Sequence, residues 1–241
     1  MRPMRGGGFG GFGGGVGLDT MAAKLAVGLV VGSVLVALTH GAAGDLLILR
    51  PASFLYGLRL WQPLTYAFVE TSPLGVIFGV LITWSIGGAL EMSLGSRRLF
   101  ILAVGCTALA GLLTVAVALL FTPLLGVPFP GGTVMTSVLW VGYGLYIGRG
   151  QANFWGLPMT GNGLAAVGVG FVVLNAAFSS IWLVLPDLFG MALAFLYVRG
   201  GSPRTLWLRF NHKRLQRRLT GRPKHLRVVN RNKPDRDQYL N

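Results

Sequence analysis

Long runs of apolar residues alternate along this chain with short polar or glycine- and proline-rich segments. A helix needs about 20 apolar residues to cross the hydrocarbon core of a bilayer, so a charge-free run of that length predicts a membrane span. The pattern predicts six such helices, at about residues 21–42, 73–90, 99–121, 132–147, 162–178 and 180–199. The predicted fold class is therefore an all-α polytopic membrane protein.

The start of the sixth span follows from its length. If it began at Pro186, only about 13 residues, or roughly 20 Å of helix, would precede Arg199. We therefore expect it to begin near Ser180 or Ile181, which places Asp187 below the membrane surface. There the carboxylate should face other helices or water, as a polar interhelical contact or a first-turn charge, with a functional role as the alternative.

Two connecting segments differ from the spans in composition. Residues 44–71 mix aromatic side chains with two isolated arginines, Arg50 and Arg59, which is typical of a segment in the membrane interface. An ordinary amphipathic loop is the plainer alternative. Residues 149–162 are predicted to be a polar connection.

The first 20 residues form a basic, glycine-rich segment with too few apolar side chains to fold, and they are predicted to be a flexible tail. A signal peptide is the competing interpretation. No small-x-small cleavage site closes the apolar run that follows, so we expect that run to be retained as the first span.

Charge is distributed very unevenly. The net charge is +14, and thirteen of the 21 Lys and Arg residues lie between Arg199 and Arg236. The other basic residues fall on the same side of the predicted spans, except for Arg50 and Arg59. The positive-inside rule then places both termini in the cytoplasm, and we expect the membrane to be a bacterial inner membrane.

The basic tail, residues 200–241, contains a segment in which leucines lie near one helical face and basic residues lie elsewhere. Directly after a membrane helix, such a segment is predicted to dock on anionic lipid of the inner leaflet. Its basic residues are Arg209, Lys213, Arg214, Arg217 and Arg218. A positive-inside anchor without a specific ligand is the alternative, and the scarcity of aromatic side chains for stacking argues against nucleic acid.

Cys106 is the sole cysteine and lies inside an apolar run. Neither disulfide nor metal chemistry is therefore predicted, and no cofactor is expected. The lipid bilayer is the partner that the composition requires.

A charged motif joins the second and third predicted spans. Glu91 lies at the end of an apolar run and is followed by Gly95, Arg97 and Arg98. An unpaired carboxylate at the membrane edge is costly, so we expect Glu91 to pair with the arginines and to fold the two spans into a hairpin.

This motif, together with Trp61 and the Thr65-Tyr-Ala-Phe68 segment of the first loop, resembles the rhomboid family of intramembrane serine peptidases. The resemblance covers about residues 21–199 and includes Gly190 in the sixth span. It implies a six-helix rhomboid-like bundle between an N-terminal tail of residues 1–20 and the C-terminal tail of residues 200–241. Gln62 departs from the pattern, because the family usually has arginine after the loop tryptophan.

The family pairs a serine, in a Gly-x-Ser-Gly element that opens helix four, with a histidine on helix six. It also uses a histidine and an asparagine on helix two to stabilise the oxyanion. In this sequence the serine position is Val134, the second glycine is Met135 and the base position is Asp187. The two oxyanion positions are Gly75 and Gly79. The resemblance therefore implies a family member that lacks the catalytic dyad.

Three functions follow as hypotheses. The favoured one is a pseudoprotease that binds transmembrane segments of client proteins between its second and fifth helices. The second is an active endopeptidase with a displaced site, in which Ser137, almost one turn beyond Val134, would use Asp187 as its base. A carboxylate without an intervening imidazole is a poor base for an alcohol. The histidines all lie outside the sixth span, at His40, His212 and His225. The third is a transporter or channel, which the scarcity of ionisable groups within the spans opposes.

Overall fold

The structure is a computed structural model that describes residues 19–154 and 157–200. Its long helices are α1 Met21–Leu38, α2 Pro73–Leu94, α3 Ser96–Leu120, α4 Gly132–Ile147, α5 Gly161–Phe178 and α6 Leu185–Arg199. Of these, α1, α2, α3 and α5 have the length and apolar composition to cross a membrane, and α4 is a shorter apolar helix. The helical fold class is confirmed, while the count of six spans stays a prediction.

Short elements connect the long helices. Helical turns occupy Ala42–Leu47, Pro51–Leu55, Gln62–Thr65, Tyr66–Phe68 and Thr122–Gly126, and α3 contains a π-helical stretch at Ile101–Gly105. The predicted polar connection after α4 is an antiparallel hairpin of β1 Gln151–Phe154 and β2 Leu157–Thr160. Residues 1–18 and 201–241, and with them the basic side chains expected to dock on lipid, lie outside the described residues.

The local sequence explains where three of the helices begin. Thr20, Ser72 and Thr160 each precede a long helix and accept a hydrogen bond from the backbone N–H three residues further on. Such side chains cap the unpaired donors of the first helical turn. Pro73 then occupies the first turn of α2, where no backbone donor is needed.

Two helix ends differ from the prediction. The first helix ends at Leu38, short of the expected residue, because His40 and Gly41 adopt left-handed backbone angles (φ 48° and 92°) that terminate it. The second helix continues beyond its expected end to Leu94, and Gly95 stops it with φ 84°.

The predicted start of the sixth helix is wrong. Residues 181–184 form a turn, and α6 begins at Leu185 with Pro186 in its first turn. Proline tolerates that position because its missing N–H has no helical partner there. With 15 residues α6 rises only about 22 Å. Asp187 is buried near its start, which agrees with the expectation that it faces protein rather than lipid.

Glu91 caps α1 instead of pairing with arginine. Its carboxylate accepts hydrogen bonds from the backbone N–H groups of Met21 (3.0 Å) and Ala22 (2.9 Å) and from Ser96 Oγ. In the part of the chain that the structure describes, no ion pair joins Glu91 to either arginine of the motif, and both arginines are exposed. The predicted ion pair is therefore wrong. The Glu91 carboxylate instead links the turn between α2 and α3 to the start of α1 through its hydrogen bonds.

The loop between α1 and α2 is amphipathic. Arg50 and Asp45 form an ion pair of 2.9 Å within it, and the buried Gln62 donates a hydrogen bond to the Asp45 carbonyl. Its exposed large apolar side chains are Leu46, Tyr56, Leu58, Leu60, Trp61 and Leu64. The loop is therefore held by its own polar groups, and its placement in the membrane interface stays a prediction.

The central helix of the bundle is α4, which packs against α2, α5 and α6. Four of its side chains, Val134, Met135, Val138 and Leu139, are fully buried. Small residues on the neighbouring helices allow the close approach, because a Cβ added at Gly190 of α6 would lie 2.9 Å from Val138 Cγ2. The residues expected to form a site therefore come together along α4.

Candidate functional site

The start of α4 is fixed to the loop that precedes α2. After the proline-rich residues 128–130, the backbone N–H of Gly131 donates to the Tyr66 carbonyl (3.0 Å), and that of Gly132 donates to the Val69 carbonyl (2.9 Å). A Cβ at Gly131 would overlap the Tyr66 ring, so glycine is needed for this approach. These contacts bring Glu70, the next residue of the loop, to the N-terminus of α4.

The expected nucleophile position is apolar and fully enclosed. Val134 and Met135 have no exposed surface, and a Cβ built at Gly190 would lie 3.0 Å from Val134 Cγ1. At this level α4 and α6 therefore contact each other through apolar groups. A valine side chain cannot be activated as a nucleophile.

Further along α4, the same two helices meet through a polar contact. Ser137 Oγ donates a hydrogen bond of 3.0 Å to Asp187 Oδ1, and Asp187 is only 3% exposed. The fold thus brings together the displaced pair considered from the sequence. His40, the histidine within the described residues, is exposed in the turn after α1, so no imidazole from those residues assists the pair.

The two positions expected to stabilise an oxyanion are occupied by other side chains. A Cβ at Gly79 would lie 2.7 Å from Leu29 Cδ2, and one at Gly75 would lie 2.8 Å from the carboxyl carbon of Glu70. Leu29 carries no hydrogen-bond donor, and an ionised Glu70 would repel an oxyanion. Neither position therefore offers the donor that acyl transfer requires.

Glu70 is the candidate residue that sequence reasoning missed. It is 6% exposed, and its Oε1 accepts hydrogen bonds from the backbone N–H groups of Thr71 (3.0 Å) and Ser72 (3.2 Å). Its Oε2 is buried and accepts no hydrogen bond from the described residues. The carboxylates of Glu70 and Asp187 lie within electrostatic range of each other. The signal available in the sequence was an isolated acid between an apolar segment and the proline that starts a span.

Burial raises the pKa of the Glu70 carboxyl above its usual range. The backbone N–H groups of Ser72, Thr71 and Thr133 oppose this shift, because they favour the charged form. Thr133 lies in the first turn of α4, so the positive end of that helix faces the carboxyl. The protonation of Glu70 is therefore sensitive to the charge of any group placed beside it.

The family model for the rhomboid domain matches residues 57–200, more than half of the chain. The chain belongs to the rhomboid family. In addition, 119 residues are 34% identical to the rhomboid protease GlpG of Serratia proteamaculans (strain 568). This match covers 40% of the chain and 43% of that protein, so the chain spans less than half the length of this curated relative. Membership confirms the resemblance drawn from the sequence and makes the chain an integral, multi-pass membrane protein.

In this rhomboid family member, the remaining motif residues make structural contacts. Trp61 Nε1 donates to the Leu46 carbonyl (3.0 Å), and Gly95 supplies the positive φ of the α2–α3 turn. Arg97 and Arg98 contribute no charge to the site, because both are exposed beyond the far end of α2. The described ranges contain no group of three or more His, Cys, Asp or Glu residues arranged to hold a metal ion.

Proposed function

We propose that this rhomboid family member is a pseudoprotease that binds transmembrane segments of client proteins without cutting them. The observation that carries the proposal is Val134, buried against Gly190 at the position where the family has its nucleophilic serine. Rhomboid-type hydrolysis needs a nucleophile, a base and an oxyanion donor around one carbonyl. Val134 cannot attack, Asp187 is bonded to Ser137, and Gly79 has no side chain.

Apolar surface on two helices supports the binding of a transmembrane segment. Both α2 and α5 pack against α4, and both expose large apolar side chains. These include Ile77, Phe78 and Trp84 on α2 and Phe171, Val173 and Leu174 on α5. Lipid covers such surfaces by default, but a client helix can replace lipid when it packs closely. We therefore place the client between α2 and α5.

The test uses the purified full-length protein in liposomes, with the related rhomboid protease as the positive control. We expect no labelling by a fluorophosphonate probe and no cleavage of a panel of transmembrane substrates. Photo-crosslinking of the same segments measures binding without cleavage. Cleavage that requires a serine of this chain would overturn the proposal, and a complete lack of crosslinks would remove its client-binding part.

A second candidate is an intramembrane endopeptidase with a displaced site. The 3.0 Å hydrogen bond from Ser137 to Asp187 favours it, because a nucleophile and a base must lie within such a distance. The carboxylate would have to accept the serine proton without an imidazole, and the positions of Gly75 and Gly79 offer no donor for the oxyanion. Cleavage by the natural protein that is abolished by Ser137→Ala would establish this function.

We further propose that both termini face the cytoplasm of a bacterium and that the basic tail docks on anionic lipid. The concentration of Lys and Arg after Arg199 supports both statements. Single cysteines introduced as Arg2→Cys or Leu240→Cys in a Cys106→Ala background test the orientation. We expect an impermeant thiol reagent to label them only after the inner membrane is opened.

A further inference from the structure

Two acidic side chains are buried at one end of the bundle, and neither has a basic partner among the described residues. Glu70 immediately precedes α2, Asp187 lies in the first turn of α6, and the two carboxylates are within electrostatic range. The described basic side chains are engaged or exposed elsewhere: Arg50 pairs with Asp45, Arg59 donates to the Asp45 carbonyl, Arg199 donates to Asn162, and Lys24, Arg97, Arg98 and Arg149 are exposed.

The described groups that contact the two acids are neutral. Asp187 accepts its hydrogen bond from the Ser137 hydroxyl, and the Tyr66 phenol lies within its electrostatic range. The Glu70 carboxylate accepts from backbone N–H groups, while its own backbone N–H donates to Ser33 Oγ (2.9 Å). Two buried carboxylates within electrostatic range of each other, in a medium of low dielectric constant, are costly to ionise together unless a positive charge compensates them.

Glu70 Oε2 is the atom that points to a ligand. It is buried and accepts no hydrogen bond of normal geometry from the described residues, while the Thr133 N–H at the start of α4 faces the carboxyl. Buried carboxylate oxygens are generally hydrogen-bonded, so an unpaired one marks a place for a donor from outside the chain. The Glu70 carboxyl lies against Gly75, which is half-buried and has no side chain to cover it. A cationic group can therefore approach the carboxyl past the start of α2.

We propose that Glu70 and Asp187 together receive the ammonium or guanidinium group of a lysine or arginine in a client transmembrane segment. This inference rests on the proposed client-binding function and specifies which segments bind. A basic side chain is itself unfavourable in lipid, and it supplies the N–H donors that Oε2 lacks. Because the acids lie where α2, α4 and α6 begin, the basic residue should lie near the corresponding end of the client's span.

The test uses two synthetic transmembrane peptides that differ at one position. Each is a leucine- and alanine-based helix of about 20 residues that carries a photoreactive group. One has lysine near the end that meets the start of α2, and the other has norleucine there. Full-length protein in nanodiscs is titrated with each peptide. We expect the lysine peptide to bind at least about tenfold more tightly, which corresponds to about 1.4 kcal/mol.

Substitutions assign the preference to the two acids. Glu70→Gln and Asp187→Asn should each reduce the preference for lysine, and the double variant should abolish it. Asp45→Asn is the matched control, because Asp45 is an exposed acid of the same loop that already pairs with Arg50. It should leave the preference unchanged. The comparison of the two peptides on the natural protein needs no variant, so it remains decisive even if a substitution prevents folding.

Four outcomes would overturn the inference. Equal binding of the two peptides would remove it while leaving client binding in place, whereas failure of both peptides to bind would remove the client-binding function as well. A lysine preference that survives the double substitution would place the cation elsewhere. Thermal stabilisation of the natural protein, but not of the double variant, by sodium ions without peptide would identify a free metal cation as the occupant.

Discussion

Ser137 on α4 donates a hydrogen bond of 3.0 Å to Asp187 on α6, and this contact joins the two helices on which rhomboid peptidases carry their nucleophile and base. Gly190, almost one turn after Asp187, lets α6 lie close to Val134 and Val138. The neighbouring contacts are therefore apolar. The hydrogen bond satisfies a carboxylate that would otherwise be buried beside hydrocarbon.

We expect Ser137→Ala to lower the free energy of unfolding by about 1–3 kcal/mol, because Asp187 loses its donor inside the bundle. Thermal unfolding of the purified protein in detergent measures the effect. Ser93→Ala is the matched control, since Ser93 is exposed and bonds only the Ala89 carbonyl of its own helix. Equal shifts in the two variants would show that the contact with Asp187 adds nothing specific.

Glu70 should make the stability of the protein depend on pH. Its pKa is raised in the folded state by burial, so over the range between the unfolded and folded pKa values the native state binds more protons than the unfolded state. The contribution of Glu70 to stability is therefore fully present below the ordinary glutamate pKa and is lost as the pH rises through the folded pKa.

Melting temperatures in detergent from about pH 4 to about pH 9 test this dependence. We expect Glu70→Gln to flatten the decrease, because the amide does not titrate. Asp45→Asn is the matched control, since Asp45 is an exposed acid of the same loop. Identical slopes for the natural protein and Glu70→Gln would contradict the assignment.

Glu91→Ala should destabilise the protein by about 1–2 kcal/mol, because the first backbone N–H groups of α1, at Met21 and Ala22, lose their acceptor. Arg97→Ala and Arg98→Ala should have little effect, since neither arginine forms an ion pair with Glu91. The melting temperatures of the three variants distinguish a helix cap from a charge pair. A decrease in melting temperature for Arg97→Ala as large as that for Glu91→Ala would support the ion pair expected from the sequence.

Gly131→Ala should destabilise the start of α4 by about 1–3 kcal/mol, because the added Cβ would overlap the buried Tyr66 ring. Gly126→Ala is the matched control, since nothing lies within 4 Å of a Cβ built there. Thermal unfolding compares the two. A melting temperature for Gly131→Ala equal to that of Gly126→Ala would show that the loop and α4 are not held as closely as described.

Local signals explain the parts of the fold that could be predicted from the sequence. The bounds of α4 were predicted because the prolines before Gly131 cannot continue a helix and Gly148, with φ 63°, ends one. The start of α6 was predicted too early. Residues 181–184 are as apolar as the residues of a membrane helix, but their backbone forms a turn. The prediction assumed that the sixth helix alone is long enough to cross the core, whereas α6 has only 15 residues.

The candidate site depends on contacts that local patterns do not contain. Val134 and Asp187 could be placed from the motif, whereas Glu70 acquires its environment from Gly75, Gly132 and Asp187, which only the packed bundle brings together. The sequence showed an acid in a loop and nothing more. Glu70 is a further buried acid beside those counted in the spans. The scarcity of ionisable groups is therefore a weaker argument against a transporter than the sequence alone suggested.

Restoring peptidase chemistry should require several substitutions at once, because nucleophile, base and oxyanion donor act as a unit. We expect Val134→Ser alone to give no cleavage, since Asp187 remains bonded to Ser137 and no imidazole is nearby. Val134→Ser with Met135→Gly and Asp187→His is the smallest set for which we expect weak cleavage of a transmembrane substrate in liposomes. Its rate should stay low, because Glu70 and Leu29 still fill the space beside Gly75 and Gly79 where the oxyanion donors belong. Cleavage by Val134→Ser alone at the rate of the triple variant would show that Asp187 can act as the base, and would favour the displaced peptidase over the pseudoprotease.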